Sequence, residues 1–168
     1  MIARVTDTKG TPPGLTHVRA DGTAHMVDVS AKEVTARRAT ASGMVLLSPA
    51  AVAALRGGSV PKGDALGVAR VAGIQAVKRT PDLIPLAHPV AVHAAEVDLD
   101  VVDEGVRIRS VVRTADRTGI EMEALTAVSV ACLTVYDMLK AADKAMTIET
   151  VRPLTKSGGR AGDWARSW

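Results

Sequence analysis

Two runs of alternating apolar and polar residues, joined by a very short link, constrain the fold more than any other feature of this sequence. The runs span residues 90–102 and 105–114, and Gly105 closes the link between them. A period of two places apolar side chains on one face of a strand and polar side chains on the other. Because so short a link joins antiparallel neighbours, the pattern predicts a β-hairpin with one buried face.

Two further segments carry apolar residues at helical spacing. In residues 64–80, small apolar side chains recur every three or four positions, which predicts a helix that packs closely on its neighbours. Asp64 is the expected N-cap, and Pro81 is expected to end the helix. A longer helix is predicted after Thr118, which has the spacing of a capping box with Glu121. Its apolar stripe consists of Leu125, Val128, Cys132, Val135 and Leu139.

The remaining elements complete the order of the fold. Residues 34–47 form a predicted strand, a short helix follows, and residues 147–154 form the last predicted strand. The order β, α, β, β, α, β predicts an α+β ferredoxin-like sandwich, in which an antiparallel sheet has helices on one face. We expect residues 1–14 to be a flexible N-terminal tail and residues 15–164 to be a single domain.

Composition excludes several classes of protein. Hydrophobic residues make up 47% and charged residues 23% of the 168 residues, which is a globular mixture. The longest uncharged stretches fall short of the ~20 apolar residues that cross a bilayer, and the single cysteine, Cys132, has no partner for an internal disulfide. We therefore expect a cytoplasmic protein without a membrane partner. A core with only 2% aromatic residues would also gain from oligomerisation.

The charge balance favours a small anionic partner. The formal net charge is +3, but the basic residues are scattered and aromatic residues are almost absent. A basic protein can bind nucleic acid, a membrane or a small phosphorylated substrate. Single-stranded nucleic acids are bound largely by stacking on aromatic side chains, so the sequence argues against nucleic-acid binding. A small phosphorylated substrate fits better.

Two loop residues are candidates for phosphate or proton chemistry. Lys62 lies beside Gly63, just before a predicted helix start, where free backbone N–H groups attract anions. The alternative is a solvated lysine. His88 lies between Pro85 and Pro89, so its backbone is restricted, and an imidazole fixed in this way can donate to phosphate or shuttle a proton. The alternative is a loop histidine bonded to a backbone carbonyl.

Four more candidates lie in or after the long helix. Glu123 has no capping role, whereas Asp137 and Lys140 have the spacing of either an oriented general acid or a surface ion pair. Lys156 begins the run Lys-Ser-Gly-Gly-Arg, which is either a weak phosphate loop or a basic flexible tail. We expect no metal site, because the four histidines lack ligand spacing and Cys132 has no thiol partner.

Eight short strings occur in one specific order and spacing. They are MVDVS (residues 26–30), KGD (62–64), AGIQA (72–76), KRT (78–80), LIPLAHP (83–89), GIEMEALT (119–126), YDM (136–138) and KSGG (156–159). Together they resemble the cyclic pyranopterin monophosphate synthase family, the C proteins of molybdenum-cofactor biosynthesis. The resemblance covers roughly residues 15–164. The chain departs from the family at Ala87, where cysteine is common, and at Pro153, which predicts an edge or a break in the last strand.

The resemblance implies a lyase that acts on a GTP derivative. Such a protein rearranges 3′,8-cyclo-7,8-dihydro-GTP to cyclic pyranopterin monophosphate with release of pyrophosphate, after a radical S-adenosylmethionine enzyme has cyclised GTP. The resemblance also implies a homohexamer, a trimer of dimers, without a required cofactor. Binding of Mg²⁺ with the triphosphate is left open. A nucleotide-binding or scaffold member of the same fold that has lost the chemistry is the alternative.

The family's functional positions are carried over residue by residue. The implied catalytic residues are Lys62, Asp137 and Lys140. The implied substrate-binding residues are Asp28, on a strand-like segment, and His88, Glu121, Met122, Glu123 and Lys156. We expect the two catalytic lysines to transfer protons, with pKa values lowered by neighbouring cations. We expect His88 and Lys156 to bind the triphosphate.

The spacing of two of these residues bears on where the site lies. Glu123 and Asp137 are fourteen positions apart, which is about 21 Å along a helix and nearly four whole turns. Their side chains would face the same way from opposite ends. We therefore predict a site shared between subunits, in which Glu123 of one chain meets Asp137 of its neighbour.

Overall fold

The computed structural model describes residue 17 and residues 22–167, so the predicted tail at residues 1–14 lies outside the described part of the chain. The strands are β1 (Thr35–Leu46), β2 (Val92–Val102), β3 (Gly105–Asp116), β4 (Thr147–Ser157) and β5 (Trp164–Ala165). The helices are α1 (Pro49–Arg56), α2 (Ala65–Val77), α3 (Thr80–Leu83) and α4 (Glu121–Leu139).

The sheet has the topology that the sequence predicts. Its strand order is β2-β3-β1-β4-β5, and all its pairs are antiparallel. The predicted hairpin is β2 and β3, with Leu99 opposite Ile108 and Val101 opposite Val106. Helices α2 and α4 contact each other and the sheet, so they lie on one face. The ferredoxin-like α+β sandwich is confirmed.

Helix α4 fills the centre of this sandwich. Within the described residues it is long and apolar enough, by length and composition alone, to cross a membrane. Its apolar residues instead pack on the sheet: Val128, Cys132, Val135 and Leu139 of the predicted stripe are fully buried, and Leu125 is half-buried. The hydropathy of α4 is therefore that of a core helix.

The predicted small-residue face of α2 allows a close approach to α4. A β-carbon at Gly73 would lie 3.0 Å from the carbonyl oxygen of Ala127 and 3.3 Å from both methyl groups of Val97. We expect Gly73→Val to lower the free energy of unfolding by about 1–3 kcal/mol, because the backbone of α4 must move to admit the side chain. Urea titration measures the loss. Ala72→Val, on the open side of the same helix, controls for β-branching and should cost less.

Two predicted helix signals are wrong in detail. Pro81 does not end α2, which stops at Val77; it lies in the first turn of α3, where a missing N–H costs nothing. Asp64 caps α2 as predicted and accepts from the Gly67 N–H at 2.8 Å. The capping box is absent, because α4 begins at Glu121 with Ile120 as N-cap and no side-chain cap. Glu121 is therefore at the first helical position rather than the third.

Strand β4 is longer than predicted and accommodates its proline. Ala41 of β1 pairs with Pro153, whereas its neighbour Thr40 pairs with Thr155. The register therefore shifts at this point, and Leu154 is left without a partner on β1. A proline without an N–H fits such a bulge. Beyond it the strand continues to Ser157, so Lys156 lies on a strand and not in a flexible tail.

Candidate functional site

The predicted site residues fall into two groups at opposite ends of α4. The N-terminal cluster, at the start of the helix and on the loops around it, consists of Asp28, His88, Glu121, Met122, Glu123 and Lys156. The C-terminal cluster, where the helix ends, consists of Lys62, Asp137 and Lys140.

A cavity of about 320 Å³ lies at the N-terminal cluster. Four predicted site residues line it: His88, Glu121, Met122 and Glu123. Sequence reasoning missed Lys32, which lies two residues after the MVDVS string and adds a cation to the cavity wall. A concave site that combines carboxyl groups, an imidazole and an ammonium group has the composition of an acid-base site.

Glu123 is the most perturbed acid in this cavity. Its residue is only 2% exposed, and no described cation forms an ion pair with it. The pKa of its carboxyl is raised to about 7, mainly by burial and to a smaller extent by the nearby charge of Glu121. A carboxyl group with a pKa near neutrality can both give and take a proton at physiological pH.

His88 forms a hydrogen bond to a backbone carbonyl, which is what the alternative interpretation of this residue predicted. Its Nε2 donates to the carbonyl oxygen of Val27 at 2.6 Å, because a carbonyl can only accept. This bond fixes the ring across the cavity wall, and Nδ1 is the ring nitrogen left for a ligand. A phosphate can accept a hydrogen bond from Nδ1 when the ring is protonated.

Asp28 lies on a loop, so the prediction of a strand-like segment around it is wrong. No regular structure includes residues 25–29, and Asp28 Oδ1 accepts from the Ser30 N–H at 2.8 Å. This backbone hydrogen bond is the main reason that the pKa of the Asp28 carboxyl is lowered. The residue lines a second cavity, next to the first.

Lys156 and Glu121 form an ion pair between β4 and α4. Lys156 Nζ lies 3.5 Å from Glu121 Oε1, and both side chains are about two-thirds or more buried. The Glu121 carboxylate folds over Gly119, where a β-carbon would collide with it. Glu121 therefore orients Lys156 instead of capping its helix.

The C-terminal cluster is a carboxylate held between two lysines. Lys62 Nζ donates to Asp137 Oδ2 and to the Asp137 carbonyl oxygen, both at 2.8 Å, and Lys140 Nζ lies 2.6 Å from Asp137 Oδ1. The hydrogen bonds from Lys140 and Lys62 lower the pKa of Asp137 to about 2. Lys62 reaches Asp137 because α2 and α4 run antiparallel, so the loop before α2 adjoins the end of α4.

The prediction that neighbouring cations lower the pKa of Lys140 is wrong. The hydrogen bond to Asp137 is the main reason that the pKa of Lys140 is raised. An opposite charge at 2.6 Å stabilises the ammonium form more than the partial loss of hydration destabilises it. Lys140 is therefore held as a charged proton donor.

One chain does not bring the two clusters together. Glu123 and Asp137 both lie on α4, so the predicted separation of about 21 Å applies to this helix. The structure places Lys62 and Lys140 each within hydrogen-bond distance of Asp137, and the remaining predicted residues around two adjoining cavities.

The described residues offer little to a metal ion. Among residues 17 and 22–167, no group of three or more His, Cys, Asp and Glu side chains is placed to hold one. Cys132 is buried, and burial raises the pKa of its thiol to about 12, so it is neither a ligand nor a nucleophile at neutral pH.

Comparisons with known proteins agree on one family. The MoaC family model matches residues 26–159. A cyclic pyranopterin monophosphate synthase of Nocardioides sp. is 62% identical over 92% of this chain and 97% of its own length. Proteins with the same name from Streptomyces avermitilis and Methylobacterium sp. are 59% and 56% identical, over 95% and 90% of this chain and 97% and 96% of their own lengths. The chain belongs to the MoaC family.

Proposed function

We propose that this protein is a cyclic pyranopterin monophosphate synthase of molybdenum-cofactor biosynthesis. As a lyase, it rearranges 3′,8-cyclo-7,8-dihydro-GTP to cyclic pyranopterin monophosphate and releases pyrophosphate. The observation that carries the proposal is the cavity in which Glu123, with a pKa of about 7, faces the same space as His88 and Lys32. The identity of 62% to a synthase over nearly the whole chain supports it.

The N-terminal cluster binds the substrate in this proposal. Lys156 and protonated His88 donate to the triphosphate, with charge-assisted hydrogen bonds of about 1.5–3 kcal/mol each. Lys156 exchanges its contact with Glu121 for one with phosphate. Glu123 binds the base as a neutral carboxylic acid, which donates a hydrogen bond that a carboxylate lacks.

The C-terminal cluster transfers protons. The rearrangement opens a ring, so a leaving nitrogen or oxygen needs a proton when its bond breaks. Lys140 supplies it, Asp137 orients the ammonium group, and Lys62 takes part in the return transfer. The raised pKa of Lys140 keeps the donor charged until substrate binds.

A complete site needs two subunits in this proposal. We infer a homohexamer, a trimer of dimers, in which the N-terminal cluster of one chain meets the C-terminal cluster of its neighbour. The separation of the clusters along α4 supports this arrangement. The hexamer would bury exposed apolar side chains on the outer faces of the helices. These are Val68 and Val71 on α2 and Leu133 on α4.

The wider setting follows from the substrate. The protein receives it from a radical S-adenosylmethionine GTP cyclase, works in the cytoplasm and has neither a nucleic-acid nor a membrane partner. It uses no resident cofactor, and Mg²⁺ accompanies the triphosphate as part of the substrate. Among the described residues, the one helix long and apolar enough to cross a membrane is α4, and its burial in the core supports a soluble protein.

Incubation with the cyclised GTP derivative tests the proposal. Pterin and pyrophosphate should appear in equal amounts, detected by fluorescence after oxidation and by a coupled assay. Binding of the derivative without either product would establish the non-catalytic alternative. Release of pyrophosphate without a pterin would identify a phosphohydrolase.

Replacement of Lys140 tests the proton transfer. Lys140→Arg keeps the positive charge beside Asp137, but a guanidinium group does not readily give up a proton. We expect kcat to fall by about 10²–10⁴-fold with little change in KM. Lys144→Arg, at an exposed position on the following loop, should leave both constants unchanged. Wild-type turnover of Lys140→Arg would limit Lys140 to phosphate binding.

A further inference from the structure

The segment that carries His88 joins α3 to β2 and has little main-chain support of its own. Residues 84–91 contain neither helix nor strand. Within the described part of the chain, no hydrogen bond between main-chain groups involves residues 88–91. The pairing of β2 with β3 begins only at Val92. Side chains must therefore hold this part of the loop in place.

Two side chains at the end of β3 hold Ala91, three residues after His88. Thr114 Oγ1 donates to the carbonyl oxygen of Ala91 at 2.5 Å, and Asp116 Oδ2 accepts from the Ala91 N–H at 3.2 Å. Both polar main-chain groups of Ala91 are thus bonded to side chains of one strand. We call Thr114 and Asp116 the loop clamp.

A bulge in β2 explains why side chains replace the sheet at this point. The register with β3 shifts between Val92 and Ala94, so His93 is the extra residue of β2. An extra residue disrupts the ladder of main-chain hydrogen bonds, and main-chain groups that lose their ladder partners need other ones. The loop clamp supplies them, so it continues the hairpin beyond the bulge.

Asp116 also bonds to the segments on either side of the loop. Its Oδ1 accepts from the Arg117 N–H at 2.7 Å, and its carbonyl oxygen accepts from Arg37 Nε at 2.9 Å. Because both carboxylate oxygens accept from main-chain N–H groups, the side chain has one preferred orientation. Asp116 therefore joins the loop of His88 to β1 and to the segment after β3.

The connection from Ala91 back to His88 is short and stiff. It passes through Pro89, whose ring fixes φ at about −65°. Three residues span at most about 10 Å, so an anchor at Ala91 restricts the main chain of His88 closely. On its other side, His88 is held by the hydrogen bond from Nε2 to the carbonyl oxygen of Val27. Without the loop clamp, only this ring contact remains.

We propose that Thr114 and Asp116 are positioning residues for the synthase reaction, which hold the imidazole of His88 at the cavity that contains Glu123. The inference rests on the proposed function, in which His88 donates to the triphosphate. A donor that is ordered before the ligand arrives loses less entropy on binding. Ala91 is exposed, so water takes over its hydrogen bonds in a variant without the clamp, and that variant should fold.

NMR of ¹⁵N-labelled histidine tests the positioning without turnover. A neutral imidazole at pH 8 has one ring proton, and the bond from Nε2 to Val27 selects one tautomer of His88. We expect Thr114→Val and Asp116→Asn to give a mixture of tautomers. Thr114→Ser, which keeps the hydroxyl group, should restore the single tautomer. Asp98→Asn, at an exposed position of β2, is the matched control and should resemble the wild type.

A double-mutant cycle tests the effect on the reaction. We expect Thr114→Val and Asp116→Asn each to raise KM for the cyclised GTP derivative by about three- to tenfold, with kcat changed by less than about twofold. In a His88→Ala protein, neither substitution should raise KM further, because the residue through which the clamp acts is absent. A purely structural role would weaken the enzyme in both backgrounds.

The outcomes separate this inference from the proposed function. A single tautomer of His88 in both clamp variants would overturn the inference, even if the protein makes the pterin. Equal rises of KM with and without His88 would also overturn it, because the clamp would then act through other residues. A tautomer mixture in both variants of a protein that makes no pterin would uphold the positioning of His88 and overturn the synthase.

Discussion

An equimolar mixture of Glu123→Ala and Asp137→Ala subunits is expected to regain about a quarter of the wild-type synthase activity once the subunits have exchanged. Each variant alone is expected to be inactive, because every shared site then lacks one of its two halves. After random exchange, half of the dimers are mixed. A mixed dimer has one site with both residues intact and one site with neither.

The expectation follows from the length of α4. Glu123 lies in the first turn of the helix and Asp137 in the last, and the chain itself keeps them apart. Lys62 and Lys140 are bonded directly to Asp137, so they belong to the same half-site. A small nucleotide cannot contact Glu123 and Asp137 of one subunit, since about 21 Å of helix separates their backbones.

A second mixture provides the matched control. Asp137→Ala and Lys140→Ala change residues of one half-site, so a mixed dimer of these two variants contains no intact site. Activity should stay absent in that mixture, although the subunits exchange to the same extent. Native mass spectrometry measures the exchange. Recovery in the control mixture, or none in the Glu123→Ala and Asp137→Ala mixture, would contradict a shared site.

The sequence predicts the fold well because the signals of the main elements are local. The period of two in residues 90–114 requires no knowledge of the rest of the chain, and it identifies β2 and β3. The helical stripe of α4 is equally local. Both patterns report which face of an element is buried, which is the property that decides the layers of the sandwich.

Predictions that depend on where an element begins were less accurate. The capping box of Thr118 and Glu121 requires a helix that starts after Thr118, but α4 starts at Glu121. A shift of this size lies within the usual uncertainty of helix boundaries, yet it turns a capping residue into the ion-pair partner of Lys156. The segment around Asp28, expected to be strand-like, is a loop without regular structure.

The electrostatic features of the site could not be predicted, because they depend on contacts between distant segments. Arg37 and Arg117 are eighty positions apart, and the pairing of β1 with β3 brings them to one cavity. The sequence showed Lys62 and Lys140 as separate cations, so it did not predict that Asp137 bonds to both. The burial of Glu123, which shifts its pKa, depends on the packing of α4 on the sheet.

Replacement of Glu123 by glutamine is expected to stabilise the protein above pH 7. The pKa of this carboxyl group is raised from 4.5 to about 7, so between these values the native state holds a proton that the unfolded chain has released. The free energy of unfolding of the wild type therefore falls as the pH rises through this window. The contribution of Glu123 to this fall is on the order of 3 kcal/mol, and it levels off above about pH 7.

Glu123→Gln lacks the titrating proton but keeps the size and a hydrogen-bond donor of the neutral acid. Urea unfolding at pH 5 and pH 8, at one protein concentration because the proposed hexamer would make stability depend on it, should show a variant close to the wild type at pH 5 and more stable at pH 8. Glu104→Gln, in the exposed link of the hairpin, removes a carboxylate outside the cavity and is the matched control. A constant difference between Glu123→Gln and the wild type at both pH values would show that burial does not hold this proton. A difference that grows with pH would mean that the protein keeps an acid in its cavity at a cost in stability, as expected of a residue retained for its chemistry.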